Sequence, residues 1–279
     1  MVIILSLNNS MEEQSTLVLD THSKILSFLK SIFILFCFYS LSCYNLKSSL
    51  NLYPDSTLII KNQGDWARNR YFERIQDFKT DPIGYNKIVF LGNSITKGGG
   101  DWNKRLGTSN IVNRGISGDI TEGVLERLEE IGYYKPIAVF LLIGFNNFFT
   151  DYNSDSGITP DYIYENIIRI KKKIEELSPD TEVYIQTILP MDNKKYMKTT
   201  AEYSFLLPAY EPSINTQINK VNSLLINNDA FKVIDLASSF KNQKGLLDNT
   251  LSDDGVHLNE AGYSVWVKIL KPYIMKINN

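Results

Sequence analysis

From residue 87 onward the chain alternates short apolar runs with longer stretches of helical periodicity. Lys87-Ile-Val-Phe-Leu-Gly92 reads as a short buried strand ending in a turn. Ile137-Ala-Val-Phe-Leu-Leu-Ile-Gly144 is nearly continuous in apolar residues, the pattern of a strand covered on both faces. Glu182–Leu189 and Phe231–Asp235 read as two further strands. Between them lie helical patterns. Gly64–Phe78 sets Trp66, Tyr71, Ile75 and Phe78 near helical spacing, and Ile120–Ile131 puts Val124, Leu125, Leu128 and Ile131 on one face. Tyr162–Leu177, Ile214–Ile226 and Glu260–Ile274 complete the set. Strands alternating with helices predict an α/β fold with a mainly parallel sheet, in which sites form at the carboxyl ends of the strands. No internal repeat or low-complexity segment interrupts the pattern.

The first part of the chain is patterned differently. Lys24 and Lys30 precede the apolar run Ser31-Ile-Phe-Ile-Leu-Phe-Cys-Phe-Tyr-Ser-Leu-Ser42, which ends at Cys43. A basic stretch, about a dozen apolar residues and small residues before a boundary have the form of an export signal. The run is shorter than the roughly 20 residues that span a bilayer. Ser40-Leu41-Ser42-Cys43 resembles a bacterial lipobox, with Ser40 where the pattern has leucine, which implies a lipidated Cys43 and a membrane-anchored, exported lipoprotein. An ordinary cleaved signal or an uncleaved anchor is the alternative. Residues 1–43 are thus expected to be a leader, 44–63 a polar tether, and 64–279 the folded domain.

Composition narrows the chemistry. The 279 residues, 43% of them hydrophobic, suffice for one sizeable core, and a formal net charge of -2 gives no basic footprint for nucleic acid. The local run Arg169-Ile-Lys-Lys-Lys173 alternates with acids and reads as a solvated helix face. Both cysteines, Cys37 and Cys43, lie in the leader, so the domain has no disulfide, thiol nucleophile or thiolate metal site. The chain's two histidines are His22 in the leader and His257. One histidine does not build a zinc site of the usual kind.

Four polar clusters fall at or near strand ends. Gly92-Asn-Ser94-Ile-Thr96 follows the strand at 87–91, where a serine on a tight turn can aim its hydroxyl into a crevice. Taken alone, Ser94 reads first as a helix N-cap. Asn113-Arg-Gly115-Ile-Ser117-Gly118-Asp119 precedes the helix at 120–131, where Gly115 permits close backbone approach and Ser117 or Asp119 is equally a cap. Gly144-Phe145-Asn146-Asn147 ends the most buried strand and offers either an amide donor or a turn asparagine. Asp253-Asp254-Gly255-Val256-His257 sets a carboxylate three residues before the domain's histidine, a spacing that lets Asp254 hold one ring nitrogen and leave the other basic.

In this order the clusters resemble the blocks of the SGNH (GDSL-type) hydrolases. Ser94, Gly115, Asn146 and His257 match the family's serine, glycine, asparagine and histidine, and Asp254 its orienting aspartate. Phe90–Thr96, Asn113–Gly118, Leu141–Gly144 and Asp254–Tyr263 carry the resemblance, with the lead-in helix from Trp66 to Tyr71; it covers roughly residues 64–275. Two positions depart. The usual Gly-Asp-Ser is Gly-Asn-Ser, with Asn93, and the usual Gly-Thr-Asn-Asp is Gly-Phe-Asn-Asn, with Phe145 and Asn147. Neither asparagine replaces a member of the Ser–His–Asp triad, so the resemblance implies retained activity with altered local hydrogen bonding.

The resemblance implies a flavodoxin-like three-layer sandwich with a five-stranded parallel sheet. It implies a serine esterase acting on short acyl, above all acetyl, esters of a carbohydrate or lipid, similar to the platelet-activating-factor acetylhydrolase branch. The implied oxyanion donors are the N–H groups of Ser94 and Gly115 and the side-chain amide of Asn146; no cofactor or metal is needed. Two alternatives stay open: a catalytically silent surface lipoprotein that binds acylated glycans, and a thioesterase or lysophospholipase of the same fold. Phe145, Phe148 and Phe149 either narrow an acyl pocket or belong to the core.

Overall fold

The computed structural model describes residues 51–150, 157–199 and 212–278, together with Leu29, Lys30 and Ile32. Those three positions are helical and exposed, and belong to a first unit, Met1–Asn51; the second unit is Leu52–Asn279. Cys43 and the rest of the expected leader lie outside the described residues.

The second unit opens with helix α1 (Asp65–Thr80), then β1 (Ile88–Gly92), short helices α2 (Ser94–Gly98) and α3 (Trp102–Leu106), and β2 (Ile111–Gly115). Next come α4 (Thr121–Leu125), α5 (Glu129–Tyr134), β3 (Ala138–Leu142), α6 (Asn147–Thr150), α7 (Pro160–Leu177) and β4 (Glu182–Gln186). The chain closes with α8 (Asn193–Thr199), α9 (Ile214–Ile226), β5 (Lys232–Ile234), α10 (Ala237–Phe240) and α11 (Glu260–Asn278). The five strands pair in parallel in the order β2-β1-β3-β4-β5, a flavodoxin-like sheet with helices on both faces.

Side-chain alternation explains the layers. Val89, Leu91, Val139, Leu141, Val183 and Ile185 point to one face, where they meet Ile163, Ile167, Ile170 and Ile174 of α7 and Ile218, Val221 and Leu225 of α9. Ile88, Phe90, Ala138, Phe140 and Tyr184 point to the other, under Trp102 of α3 and Trp266, Leu270 and Ile274 of α11. Every residue of β1 and β3 is buried, which is why these strands carry no polar alternation. Helix α7 begins where its sequence dictates: the Thr159 side chain accepts from the N–H of Tyr162, and Pro160 fills the first turn.

One strand has no assignment from the apolar pattern, and two expectations need correction. Ile111–Gly115 forms that strand, although Asn113 and Arg114 disguise it. Arg114 is buried because its guanidinium meets the Glu130 carboxylate at 2.9 Å, so its charge is neutralised inside the protein. The helix expected over 120–131 is two helices. At the break, Arg127 turns inward to Asp119 rather than outward to solvent. Finally, the tether expected over 44–63 is docked to the domain across its described part. Tyr53 donates to the carbonyl of Phe78 and to Glu130, Ile60 is buried with Tyr71 and Ile75, and Asn62 donates to Glu122.

Candidate active site

The strand order places the carboxyl ends of β2, β1 and β3 side by side, and each delivers one polar cluster. At the end of β1, the Asn93 side chain accepts from the N–H of Ile95 and so caps α2, which makes Ser94 the first helical residue. The expected N-cap role thus falls to Asn93. Ser94 is left with its hydroxyl in the crevice, and its Oγ lies 3.1 Å from Nε2 of His257.

His257 sits on the loop before α11, with its side chain 47% exposed. Its Nδ1 lies 2.7 Å from Oδ2 of Asp254. The other oxygen of Asp254 accepts from the backbone N–H groups of Val256 and His257 at 2.8 and 2.7 Å. Burial raises the Asp254 pKa, but the imidazole and these N–H donors outweigh it and bring the carboxyl down to about 2. Asp254 is therefore ionised at any ordinary pH. A carboxylate on Nδ1 selects the tautomer whose Nε2 lone pair faces Ser94.

Asn146 follows β3, half-buried, and its Nδ2 donates to the backbone carbonyl of Asp119 at 2.9 Å. That bond uses one of the two amide hydrogens and fixes the direction of the other. The loop carrying Asp119 is held from beneath. Arg127 contacts Oδ2 of Asp119 at 2.7 Å and also donates to the carbonyls of Arg114 and Gly92, so one buried guanidinium ties the ends of β1 and β2 to this loop. Burial raises the Asp119 pKa to about 6 against the opposing pull of Arg127.

Gly115 does not take the expected part. Its N–H donates to the Asn113 side chain at 3.0 Å and is not available to a substrate. A Cβ at Gly115 would sit 2.2 Å from the backbone N of Lys97, so the glycine is there to let β2 pass against α2. Gly118, three residues on, suits the donor role better. The turn Ile116–Asp119 closes with the N–H of Asp119 on the carbonyl of Ile116, and Gly118 occupies its third position at φ +77°, as that turn type demands. Its N–H makes no hydrogen bond among the described residues, and it adjoins the residue whose carbonyl holds Asn146. Two glycines in one cluster were visible in the sequence; the capture of one N–H by Asn113 was not.

The departures from the usual motif are also explained. Asn147 is buried; its Oδ1 accepts from the N–H of Thr121 and its Nδ2 donates to Glu122. Phe145 and Phe148 are buried in the core, whereas Phe149 is only partly buried and meets Tyr196 of α8 edge-on at 6.0 Å. Among the described residues no group of three or more His, Cys, Asp or Glu could hold a metal ion, and no helix is long and apolar enough to cross a membrane.

A parallel doubly wound sheet with serine, histidine and carboxylate joined across its carboxyl end defines a carboxylic ester hydrolase of the SGNH class. The model of the GDSL-like Lipase/Acylhydrolase family matches residues 90–265, and the chain belongs to that family. Among curated proteins it is similar to human platelet-activating factor acetylhydrolase IB subunit alpha1, 24% identical over 197 residues that cover 68% of this chain and 76% of that protein. Among solved structures it is similar to a platelet activating factor protein from Streptococcus pneumonia, with a TM-score of 0.60 at 24% identity over 75% of this chain and 95% of that one. An acylhydrolase from Bacteroides fragilis matches with a TM-score of 0.59 at 20% identity, covering 76% and 98%.

Proposed function

We propose that the protein hydrolyses short-chain acyl esters, acetyl esters first, of a carbohydrate or lipid through a Ser94–His257–Asp254 triad. The observation that carries this reading is the continuous pair of contacts from Ser94 Oγ to His257 Nε2 at 3.1 Å and from His257 Nδ1 to Asp254 Oδ2 at 2.7 Å. In the first half-reaction Ser94 Oγ attacks the ester carbonyl while His257 Nε2 takes its proton. Asp254 stays ionised, keeps the resulting imidazolium oriented and stabilises its charge. The tetrahedral oxyanion lies against the N–H of Ser94, the N–H of Gly118 and Nδ2 of Asn146, donors fixed before the charge develops. His257 then returns the proton to the leaving alcohol. A water, deprotonated by the same nitrogen, releases the acid from Ser94 in the second half-reaction.

The short-acyl preference rests on the open setting of the exposed His257 and on the likeness to an acetylhydrolase. The test is turnover of p-nitrophenyl esters from acetate to octanoate beside Ser94→Ala and His257→Ala. Acetate hydrolysis that falls by about 10³ or more in both variants supports the reading, since residual catalysis then comes from binding and the oxyanion donors alone. A folded parent inert on every ester overturns it and leaves a binding protein for acylated glycans. A preference for octanoate moves the substrate to longer lipid esters.

The lipobox-like Ser40–Cys43 supports export and anchoring through a lipid on Cys43. Labelling by palmitate in a bacterial host, lost in Cys43→Ala, is the expected result; a soluble, unlabelled product refutes it.

A further inference from the structure

We infer that Glu122 and Asn147 form a buried clamp that positions Asn146 for the oxyanion, making both of them positioning residues of this hydrolase. The inference rests on the reading of Asn146 as an oxyanion donor. Glu122 is 8% exposed and Asn147 fully buried. One Glu122 oxygen accepts from Asn147 Nδ2 at 2.8 Å and from Thr121 Oγ1 at 2.8 Å. The other accepts from Tyr162 of α7 at 2.7 Å and from Asn62 of the segment before α1 at 2.7 Å. Asn147 Oδ1 takes the N–H of Thr121 at 3.0 Å, so this side chain spans α4 and α6 with both ends engaged.

Four donors on one buried carboxylate, contributed by four separate segments, exceed what is needed to hold a single short helix. One of the four is Asn147, the residue next to Asn146. The direction of the free Asn146 hydrogen depends on where the backbone of 146–147 sits. That backbone is fixed by Asn147 on one side and by the Asn146–Asp119 bond on the other. Burial raises the Glu122 pKa, but its four donors outweigh burial and hold the carboxyl below its ordinary range, so the clamp is anionic at neutral pH. An amide at 147 is the residue that complements an anion there. An aspartate in its place would set two carboxylates 2.8 Å apart. The charged and titratable neighbours facing the pair are Tyr162 from α7, with Arg169 behind it, and Asp119 from the loop before α4, paired with Arg127 from the break between α4 and α5.

The test compares Asn147→Asp, Glu122→Gln and the double variant, with activity per folded molecule measured from pH 5 to 9. Asn147→Asp keeps the bond from the Thr121 N–H but needs a shared proton to face Glu122. Two carboxylates in one site raise one pKa strongly, so the pair is protonated at low pH and doubly charged at high pH. The expected result is a ratio to the parent that falls as pH rises, reaching a loss of about tenfold in kcat with KM little changed. Glu122→Gln combined with Asn147→Asp restores one anion and one amide, and is expected to recover to within about threefold with a pH-independent ratio. A purely structural clamp would lower thermal stability and leave both the pH ratio and kcat per folded molecule unmoved, and that outcome overturns the inference. If Asn147→Asp does not fold, Glu122→Gln alone decides: a kcat equal to the parent's overturns it. Asn146→Ala, expected to lose about 10²–10³, separates the two levels. Full activity in that variant sinks the oxyanion reading itself. Its loss together with unaffected clamp variants sinks only the clamp.

Discussion

The two halves of the candidate site are built on opposite plans. The half around Ser94, Gly118 and Asn146 rests on buried charge: Arg127 with Asp119 at 2.7 Å, both nearly or fully inaccessible, and the Glu122 cluster beside them. The half around His257 is a loop that leaves the His257 side chain exposed, and Asp254 orders it by bonding residues two and three further along the chain. The segment at α8 anchors it, with the Asp192 N–H on the carbonyl of Gly255 and Lys195 Nζ on that of Ser252. On the proposed mechanism, the difference follows from what each half would do. Donors to a developing oxyanion must not reorganise, and burial among fixed charges prevents it. A base that takes a proton from one oxygen and gives it to another needs one fixed tautomer and access to substrate and water, which a local turn provides.

Asp254→Asn is the sharpest cut into this comparison, because it touches only the exposed half. The amide oxygen can still accept from the N–H groups of Val256 and His257, so the loop keeps its shape. The amide nitrogen then faces Nδ1 and selects the wrong tautomer, and kcat is expected to fall by about 10⁴, with a modest fall in melting temperature from the lost carboxylate. A large loss of stability instead would show that the loop is held by charge, as the other half is. The parent's Asp254 carboxyl titrates at about 2, below its ordinary 3.8. Its contribution to stability is therefore complete above pH 3.8, and is lost only as pH falls from there toward about 2.

Arg127→Leu reverses the test. It leaves Asp119 buried without its partner, and the expected cost is about 3–5 kcal/mol in urea unfolding at neutral pH. The sign with pH is informative. Asp119 already titrates at about 6 in the folded protein, above its ordinary 3.8, so folding loses stability as pH rises through that window. Without Arg127 the folded value climbs further and the loss extends to higher pH. The variant should therefore be closest to the parent near pH 5 and furthest at pH 8. A cost independent of pH would mean that the lost bonds to the Gly92 and Arg114 carbonyls, and not the charge, dominate.

The same contrast decides what could be read from the sequence. Strands β1 and β3 and the Asp254-x-x-His257 pair were legible because their signals are local: an unbroken apolar run, and a spacing of three within one turn. The features that were hidden depend on partners far along the chain. Arg114 interrupts the apolar pattern of β2 and is explained only by its partner Glu130, and Arg127 breaks a regular helical pattern to reach Asp119. Asn62 and Tyr53 lie in a stretch of tether-like composition, yet each is matched to a buried carboxylate on another element. Gly115 and Gly118 are indistinguishable as letters; the Asn113 side chain takes the N–H of Gly115, whereas Gly118 sits at φ +77° in a turn with its N–H left over.

Asn93→Asp is expected to have the smallest effect, and for a reason that bears on both halves. Asn93 is 1% exposed, and its Oδ1 caps α2 by accepting from the N–H of Ile95 at 3.0 Å. A carboxylate accepts that bond equally well. Its charge sits at a helix N-terminus, where an anion gains about 0.3–1 kcal/mol, and this opposes the cost of burying it. The bond that makes Ser94 the first helical residue is kept, so kcat/KM for acetate should stay within about threefold of the parent, a change under 1 kcal/mol. A rise of tenfold or more would mean that Asn93 detunes the nucleophile through its missing charge, and that the Ser94 half depends on electrostatics at this position. A fall of that size, with the melting temperature unchanged, would place the sensitivity in the amide hydrogens of Asn93. Either result would join Asn93 to the buried network that Arg127 and Glu122 anchor.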